Sequence, residues 1–217
     1  MKITAEQLQA FSRGSGPEVA PALSEAADRW GIDTSLRFAH WLAQMAHESQ
    51  GFTKTRENLN YSAEALVVMF KGRISQAEAM KYGRSADHPA DQIEIANRIY
   101  GGEWGKKNLG NTQPGDGSRF IGRGYKMVTG RYNYQKCSKA LYGDDSLVYR
   151  PEWLERAKDA AESAGWFWKA HNLNEFADRN DPRGITMVVT GWDGSGDGVK
   201  VGFEQRCERL RRAILIL

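Results

Sequence analysis

The sequence predicts a mainly α-helical protein. Apolar residues recur at three- and four-residue spacing in several stretches. Ser, Thr, Asp and Pro stand where those stretches begin, and Gly where they end. With 41% hydrophobic residues, including seven Trp, eight Tyr and eight Phe in 217 positions, the chain has ample apolar surface for a core, which excludes disorder over most of its length.

Val19, Leu23, Ala26, Ala27 and Trp30 share one helical face, and Gly31 stops that helix. Asp33 or Thr34 can cap the next, whose face is Phe38, Trp41, Leu42 and Met45 and which ends near Ser49–Gly51. Ser62 starts a third helix through Ala65, Leu66 and Met69, and Ser75 with Glu78 forms a capping box for a fourth. Pro89 opens a fifth with Ile93, Ala96 and Tyr100. Residues 101–124 carry eight glycines and one proline and read as a long Gly-rich loop, with room for a short hairpin; Trp104 and Phe120 argue that it is ordered. Such loops in compact domains are often functional. Pro151 opens a helix with Leu154, Ala157, Ala161, Ala164 and Trp168 on one face, another covers roughly Ile185–Val189, and the last spans about Glu204–Leu217. About eight helices, little sheet and a loop-built cleft fit a lysozyme-like helical domain. Residues 1–217 are expected to form a single domain.

Charge and motifs exclude several classes. A net charge of +3 is too mild to argue for nucleic acid, though it suits an anionic polymer or surface. The longest apolar runs, such as Ala65–Phe70, fall far short of the ~20 residues a membrane span needs. Met1–Glu6 lacks a long apolar stretch, so no secretory signal is expected. Cys137 and Cys207 form neither a CxxC nor a disulfide framework and read as reduced thiols of a cytoplasmically made protein. Gly122-Arg123-Gly124 lacks the third glycine of a dinucleotide site, since Met127 stands there. No P-loop follows any glycine cluster, and no nucleophile elbow exists. His47-Glu48 opens like a zinc-protease motif, but Gly51 occupies the second histidine position. His40 and His47 lie ~10 Å apart along a helix, too far for one metal.

A carboxylate pair remains. Glu48 is expected at the end of an apolar helix, where the terminal carbonyls and desolvation by Trp41, Met45 and Phe52 favour the protonated form a general acid needs. Glu57 follows nine residues later in a polar loop, beside Lys54 and Arg56, which favour the ionised form of a base. Two carboxyls in opposite environments are the pattern of glycoside hydrolysis. From spacing alone a capping or ion-paired Glu48 and a solvated Glu57 remain the alternative.

The surrounding residues decide between them. His47-Glu48-Ser49-Gln50-Gly51-Phe52 and Glu57-Asn58-Leu59-Asn60-Tyr61-Ser62 resemble the catalytic stretch of glycoside hydrolase family 19. So do Ile95-Ala96-Asn97-Arg98-Ile99-Tyr100-Gly101-Gly102, Gly115-Asp116-Gly117-Ser118-Arg119-Phe120-Ile121-Gly122-Arg123-Gly124 and Thr129-Gly130-Arg131-Tyr132-Asn133-Tyr134. Weaker similarity reaches Trp166-Phe167-Trp168 and the C-terminal helix. The short interval between the glutamates is similar to the bacteriophage endolysin branch; plant chitinases have a longer one. The resemblance implies inverting hydrolysis, without a catalytic cofactor, of a β-1,4 bond between N-acetylated sugars, with Glu48 as acid and Glu57 as base. It implies that Tyr61, Ser62, Phe120 and Tyr125 line the sugar groove, core packing being the alternative for each aromatic, and that Arg206 stands near the acid. Met127 replaces a family Gln, and Thr190, in Val189-Thr190-Gly191, replaces a family Asn while still offering a hydroxyl.

The reading is therefore a peptidoglycan-degrading endolysin whose partners are glycan strands and not nucleic acid, monomeric, held in the host cytoplasm until release to the periplasm and cell wall. A chitinase acting on chitin oligomers and a non-catalytic wall-binding relative are the rivals. Absence of a signal favours the endolysin, and Met127 and Thr190 favour the non-catalytic relative. Two further expectations concern the C-terminal region. Lys200, Arg206, Arg209, Arg211 and Arg212 precede the apolar tail Ala213–Leu217, a pattern that suits weak membrane contact; the alternative is that Leu210, Ile214 and Leu217 dock on the core. Asp193, Ser195, Asp197, the Val199 carbonyl and Glu204 have EF-hand spacing around Gly198, which suggests a structural Ca²⁺; the alternative is a metal-free surface turn.

Overall fold

The computed structural model describes Met1–Leu217. Its helices are α1 Ala5–Phe11, α2 Val19–Trp30, α3 Ser35–Glu48, α4 Ala63–Met69, α5 Gln76–Tyr82, α6 Gln92–Ile99 and α7 Gly102–Leu109. There follow α8 Asp116–Arg119, α9 Arg131–Tyr142, α10 Ser146–Tyr149, α11 Ala157–Ala170, α12 Leu173–Asp178, α13 Pro182–Thr190 and α14 Phe203–Ile216. Short 3-10 turns cover Pro151–Glu155 and Val199–Val201. No strand forms; the isolated bridges are Arg56–Arg123, Ser62–Arg84 and Arg123–Val128. The predicted mainly helical class holds.

The chain divides into two compact units. The first comprises Met1–Thr55, Gly124–Lys126 and Leu154–Leu217. Its centre is α3, capped by the Thr34 hydroxyl, which accepts the Arg37 N–H. Phe38, Trp41, Leu42 and Met45 are fully buried, as their spacing predicts, and each contributes about 1.5–3 kcal/mol. α14 packs along α3, and α11 along α2. At that second contact the buried Glu162 accepts the Trp30 indole N–H (2.7 Å) and pairs with Arg29 (3.1 Å). α14 docks through Arg206, Leu210 and Ala213, while Ile214 and Leu215 stay exposed. No helix is long and apolar enough to cross a membrane.

The second unit comprises Arg56–Arg123 and Met127–Trp153. Leu59, Leu66, Ile95, Ile99 and Ile121 form its main apolar cluster. Residues 101–124 are not one long loop, because α7 and α8 lie within them. Their glycines serve close approach as much as flexibility. A Cβ on Gly117 would meet the α6 backbone at Ala96 O (2.6 Å) and Asn97 Cα (2.8 Å), and one on Gly105 would strike the Tyr100 carbonyl. Asp116 then ties α8 to α9 by accepting Nε of Arg131 (2.8 Å) and the Gln113 N–H (3.0 Å).

Smaller corrections have local causes. α6 begins at Gln92 under an Asp91 cap rather than at Pro89, and it buries Ile95, Ala96 and Ile99 while Ile93 is exposed. Pro151 opens a 3-10 turn, and the α-helix starts only at Ala157. α1 escaped the periodicity reading because it is short, although Thr4 and Gln7 form a capping box. α9 escaped because only a narrow stripe of it (Tyr134, Cys137, Ser138, Leu141) is buried.

Candidate active site

Glu48 is the last residue of α3, and the turn that follows is sharply constrained. Gln50, Gly51 and Phe52 have φ of 50°, 76° and 63°, a conformation that disfavours a bulky residue such as Phe. Burial holds it. The Ser12 hydroxyl donates to the Gly51 carbonyl (2.9 Å), the Phe52 N–H donates to the Ser49 hydroxyl (3.0 Å), and the Phe52 ring meets the Tyr125 ring edge-on at 5.1 Å. The backbone after Glu48 is thereby fixed.

The Glu48 carboxyl, 17% exposed, meets two cations. Arg206 Nη2 donates to Oε1 at 2.5 Å, and Lys126 Nζ lies 3.9 Å from Oε2. Arg206 is itself fixed, since Nη1 donates to the Gln44 side-chain oxygen (2.6 Å) and Nε to the Val201 carbonyl (2.9 Å). Gln44 lies one helical turn before Glu48, and its amide also donates to the Thr186 hydroxyl (3.1 Å). Burial and the charges of Arg206 and Arg209 push His47 down to about 4, so its ring is neutral near pH 7.

The Glu57 carboxyl has uncharged donors. The Tyr100 hydroxyl donates to Oε2 at 2.7 Å and the Gly122 N–H to Oε1 at 2.5 Å. The Glu57 N–H donates to the Gly122 carbonyl (2.9 Å), which closes a reciprocal pair. Burial and the Glu57 carboxylate push the Tyr100 hydroxyl far above the ordinary phenol range, so it remains a proton donor. Each carboxylate oxygen retains lone-pair capacity beyond these bonds. Burial and, after it, the same carboxylate raise Tyr61, whose ring packs edge-on against Phe70 at 5.4 Å.

The other expected groove residues divide. Tyr61 is half-buried near Glu57, and Ser62 caps α4 by accepting the Ala65 N–H (3.3 Å). Phe120 and Tyr125, 0% and 1% exposed, are core residues and not groove residues. Phe120 packs on Tyr134 and on the Arg131 guanidinium, and Tyr125 supports the turn after Glu48. Thr190 ends α13, its hydroxyl donating to the Thr186 carbonyl (2.7 Å) and accepting the Trp192 N–H (3.2 Å). Gln44, Lys126 and Tyr100 were missed as site residues. Only Gln44 has a local signal, its one-turn spacing from Glu48.

The calcium expectation fails the fit. No three His, Cys, Asp or Glu side chains gather to hold a metal ion. Asp193 and Asp197 accept the N–H of Ser195 (2.8 Å) and Val199 (3.0 Å) as local turns. Glu204, which would close the site, pairs with Arg211 (3.1 Å). Val199 lies in a 3-10 turn and is exposed. Gly194, Gly196 and Gly198, all at positive φ, make this a glycine-built surface turn.

No family model matches the chain. Among solved structures, chitinase C from Streptomyces griseus HUT6037 shares the fold with a TM-score of 0.59 at 16% identity, covering 97% of this chain and 74% of that one. A bacterial family 19 chitinase gives a TM-score of 0.63 at 14% identity, covering 97% and 92%. Over 200 residues the chain is 32% identical to a glycosyl hydrolase family 19 domain-containing protein of Haemophilus influenzae (strain Rd), spanning 91% of this chain and 88% of that protein. With that relationship the mainly helical fold finds its reason: the chain belongs to glycosyl hydrolase family 19, and it is a glycoside hydrolase.

Proposed function

We propose that the protein is an endolysin of phage or prophage type that hydrolyses β-1,4 bonds between N-acetylated sugars in peptidoglycan, with inversion at the anomeric carbon. In this reading Glu48 protonates the leaving oxygen, and Glu57 takes a proton from the attacking water. The observation that carries it is the contrast in how the two carboxyls are held. Glu48 is oriented through Oε1 by the fixed Arg206 guanidinium, while Oε2, 3.9 Å from Lys126 Nζ, is the oxygen assigned to meet the leaving group. Glu57 accepts from a hydroxyl and a backbone N–H, uncharged donors that fix its orientation. Inversion requires the two carboxyls ~6.5–9.5 Å apart with substrate and water between them. Tyr61, Ser62 and Thr190 are the proposed sugar contacts.

The nine-residue interval from Glu48 to Glu57, similar to that of phage endolysins, supports peptidoglycan as the polymer. The protein would then wait in the host cytoplasm and act as a monomer once released to the wall. A chitinase is the second reading, favoured by the chitinases that share the fold. One experiment separates them: turbidity loss of outer-membrane-stripped bacteria against sugar release from colloidal chitin. Lysis with little chitin breakdown is expected. Chitin release without lysis overturns the endolysin reading, and inactivity on both polymers leaves the non-catalytic relative.

A further inference from the structure

We propose that Lys126 is a positioning residue for the acid: its ammonium stands against the second carboxyl oxygen of Glu48, so that Arg206 and Lys126 face the carboxyl from its two oxygens. The proposal rests on the reading of Glu48 as the acid.

A lysine normally lays its stem on the protein and keeps its ammonium in water. Lys126 does the reverse, with its side chain only 14% exposed. The backbone forces this. Gly124 has φ +77°, and a Cβ there would lie 2.5 Å from the Ser163 hydroxyl and 3.6 Å from Ala160 Cα, so the Gly124–Lys126 segment runs hard against α11. Tyr125 is locked in the core beside Phe52. The Lys126 ammonium then lies 4.6 Å from the centre of the Phe167 ring and 3.9 Å from Glu48 Oε2. A desolvated cation needs an anion and a polarisable face, and it has both. Burial works against the charged form of Lys126, as does Arg206, while Glu48 favours it.

The arrangement distinguishes the two oxygens of the acid. Arg206 is a donor that cannot release its proton, so Oε1 is committed to accepting. The transferable proton is assigned to Oε2, which faces Lys126 at 3.9 Å, too far for a hydrogen bond. When the C–O bond of the substrate breaks and Oε2 gives that proton to the departing oxygen, negative charge develops 3.9 Å from the ammonium. A fixed cation there stabilises the charge where it forms, and it also restrains rotation of the carboxyl. The other ionisable group coupled to Glu48 is the neutral His47 of α3, which itself feels Arg206 and Arg209 of α14.

The test compares Lys126→Met, which keeps a similar stem without charge, Lys126→Arg, which keeps the charge, and Glu48→Gln. The pH profile of kcat/KM and the melting temperature are read for each on stripped cells or soluble glycan. Lys126→Met is expected to move the alkaline limb to higher pH by about one unit, because a lost cation strengthens proton binding by its carboxyl. The plateau is expected to fall about tenfold through looser positioning. Lys126→Arg should restore the limb. A wild-type limb in a folded Lys126→Met, or equal slowing by Met and Arg with an unmoved limb, overturns the proposal. If the Met variant does not fold, Lys126→Gln replaces it under the same criteria. An active Glu48→Gln overturns the acid assignment itself and is a separate result.

Discussion

His47 makes the surroundings of Glu48 a source of pH-dependent stability. Its ring lies beside Gly202, where any Cβ would collide with it, and it titrates at about 4 instead of 6.5. Above about pH 6.5 the ring is neutral in folded and unfolded chains, and its contribution is complete. As pH falls toward 4, the unfolded chain binds a proton that the folded ring refuses, so stability declines. Below about 4 both states are protonated and the loss levels off. The full shift would amount to about 3 kcal/mol at about 1.36 kcal/mol per pH unit. The ring is only half-buried, and solvent screening reduces this to about 1–2 kcal/mol. His40, buried and bonded to Asn180 Oδ1 at 2.9 Å, is shifted the same way by burial and adds to the slope. The lowered carboxyls of Asp116 and Asp178, paired with Arg131 and Arg37, lose their contribution at lower pH, below the ordinary carboxylate range. Urea unfolding of wild type and His47→Gln between about pH 7 and 4.5 isolates the effect, because packing lost by the substitution is common to every pH. The wild-type curve should fall more steeply, by about 1–2 kcal/mol over that window. Parallel curves would refute the placement of the ring.

Four further outcomes test the site. Glu57→Gln should slow hydrolysis by about 10²–10⁴-fold, and wild-type product seen by NMR should emerge as the α-anomer; fresh β-anomer contradicts inversion. Gly122→Ala places a methyl 3.3 Å from Glu57 Cδ and Thr129 Oγ1, so activity should fall about tenfold with stability changed by less than about 1.5 kcal/mol; unchanged kcat/KM would show that activity tolerates displacement of Glu57. Arg206→Ala strips donors from Glu48, Gln44 and the Val201 carbonyl and should cost about 3–5 kcal/mol in urea unfolding; a cost below about 1 kcal/mol would mean that the network is loose. Tyr125→Phe keeps the ring against Phe52, so stability should stay within about 1 kcal/mol and hydrolysis unchanged; a tenfold drop in hydrolysis would return Tyr125 to the groove.

The sequence by itself determined the helical class, the core face of α3 and the family, because these depend on local periodicity, capping residues and long ordered motifs. Phe38, Trp41, Leu42 and Met45 repeat at helical spacing whatever surrounds them, and Glu48 and Glu57 are named by their immediate neighbours. What partners each glutamate was decided by the tertiary structure. Arg206 reaches Glu48 from 158 residues away and Tyr100 reaches Glu57 from 43, distances over which no local pattern carries information. The glycines of 101–124 misled for a related reason: glycine lowers helix propensity locally, yet Gly105 and Gly117 are needed where backbones approach. Phe120 and Tyr125 belonged to the core because an aromatic residue in a motif carries no mark of which side faces solvent. The EF-hand spacing of Asp193 to Glu204 dissolved because ligation requires oxygens to converge, and spacing along the chain cannot specify that once Glu204 turns to Arg211.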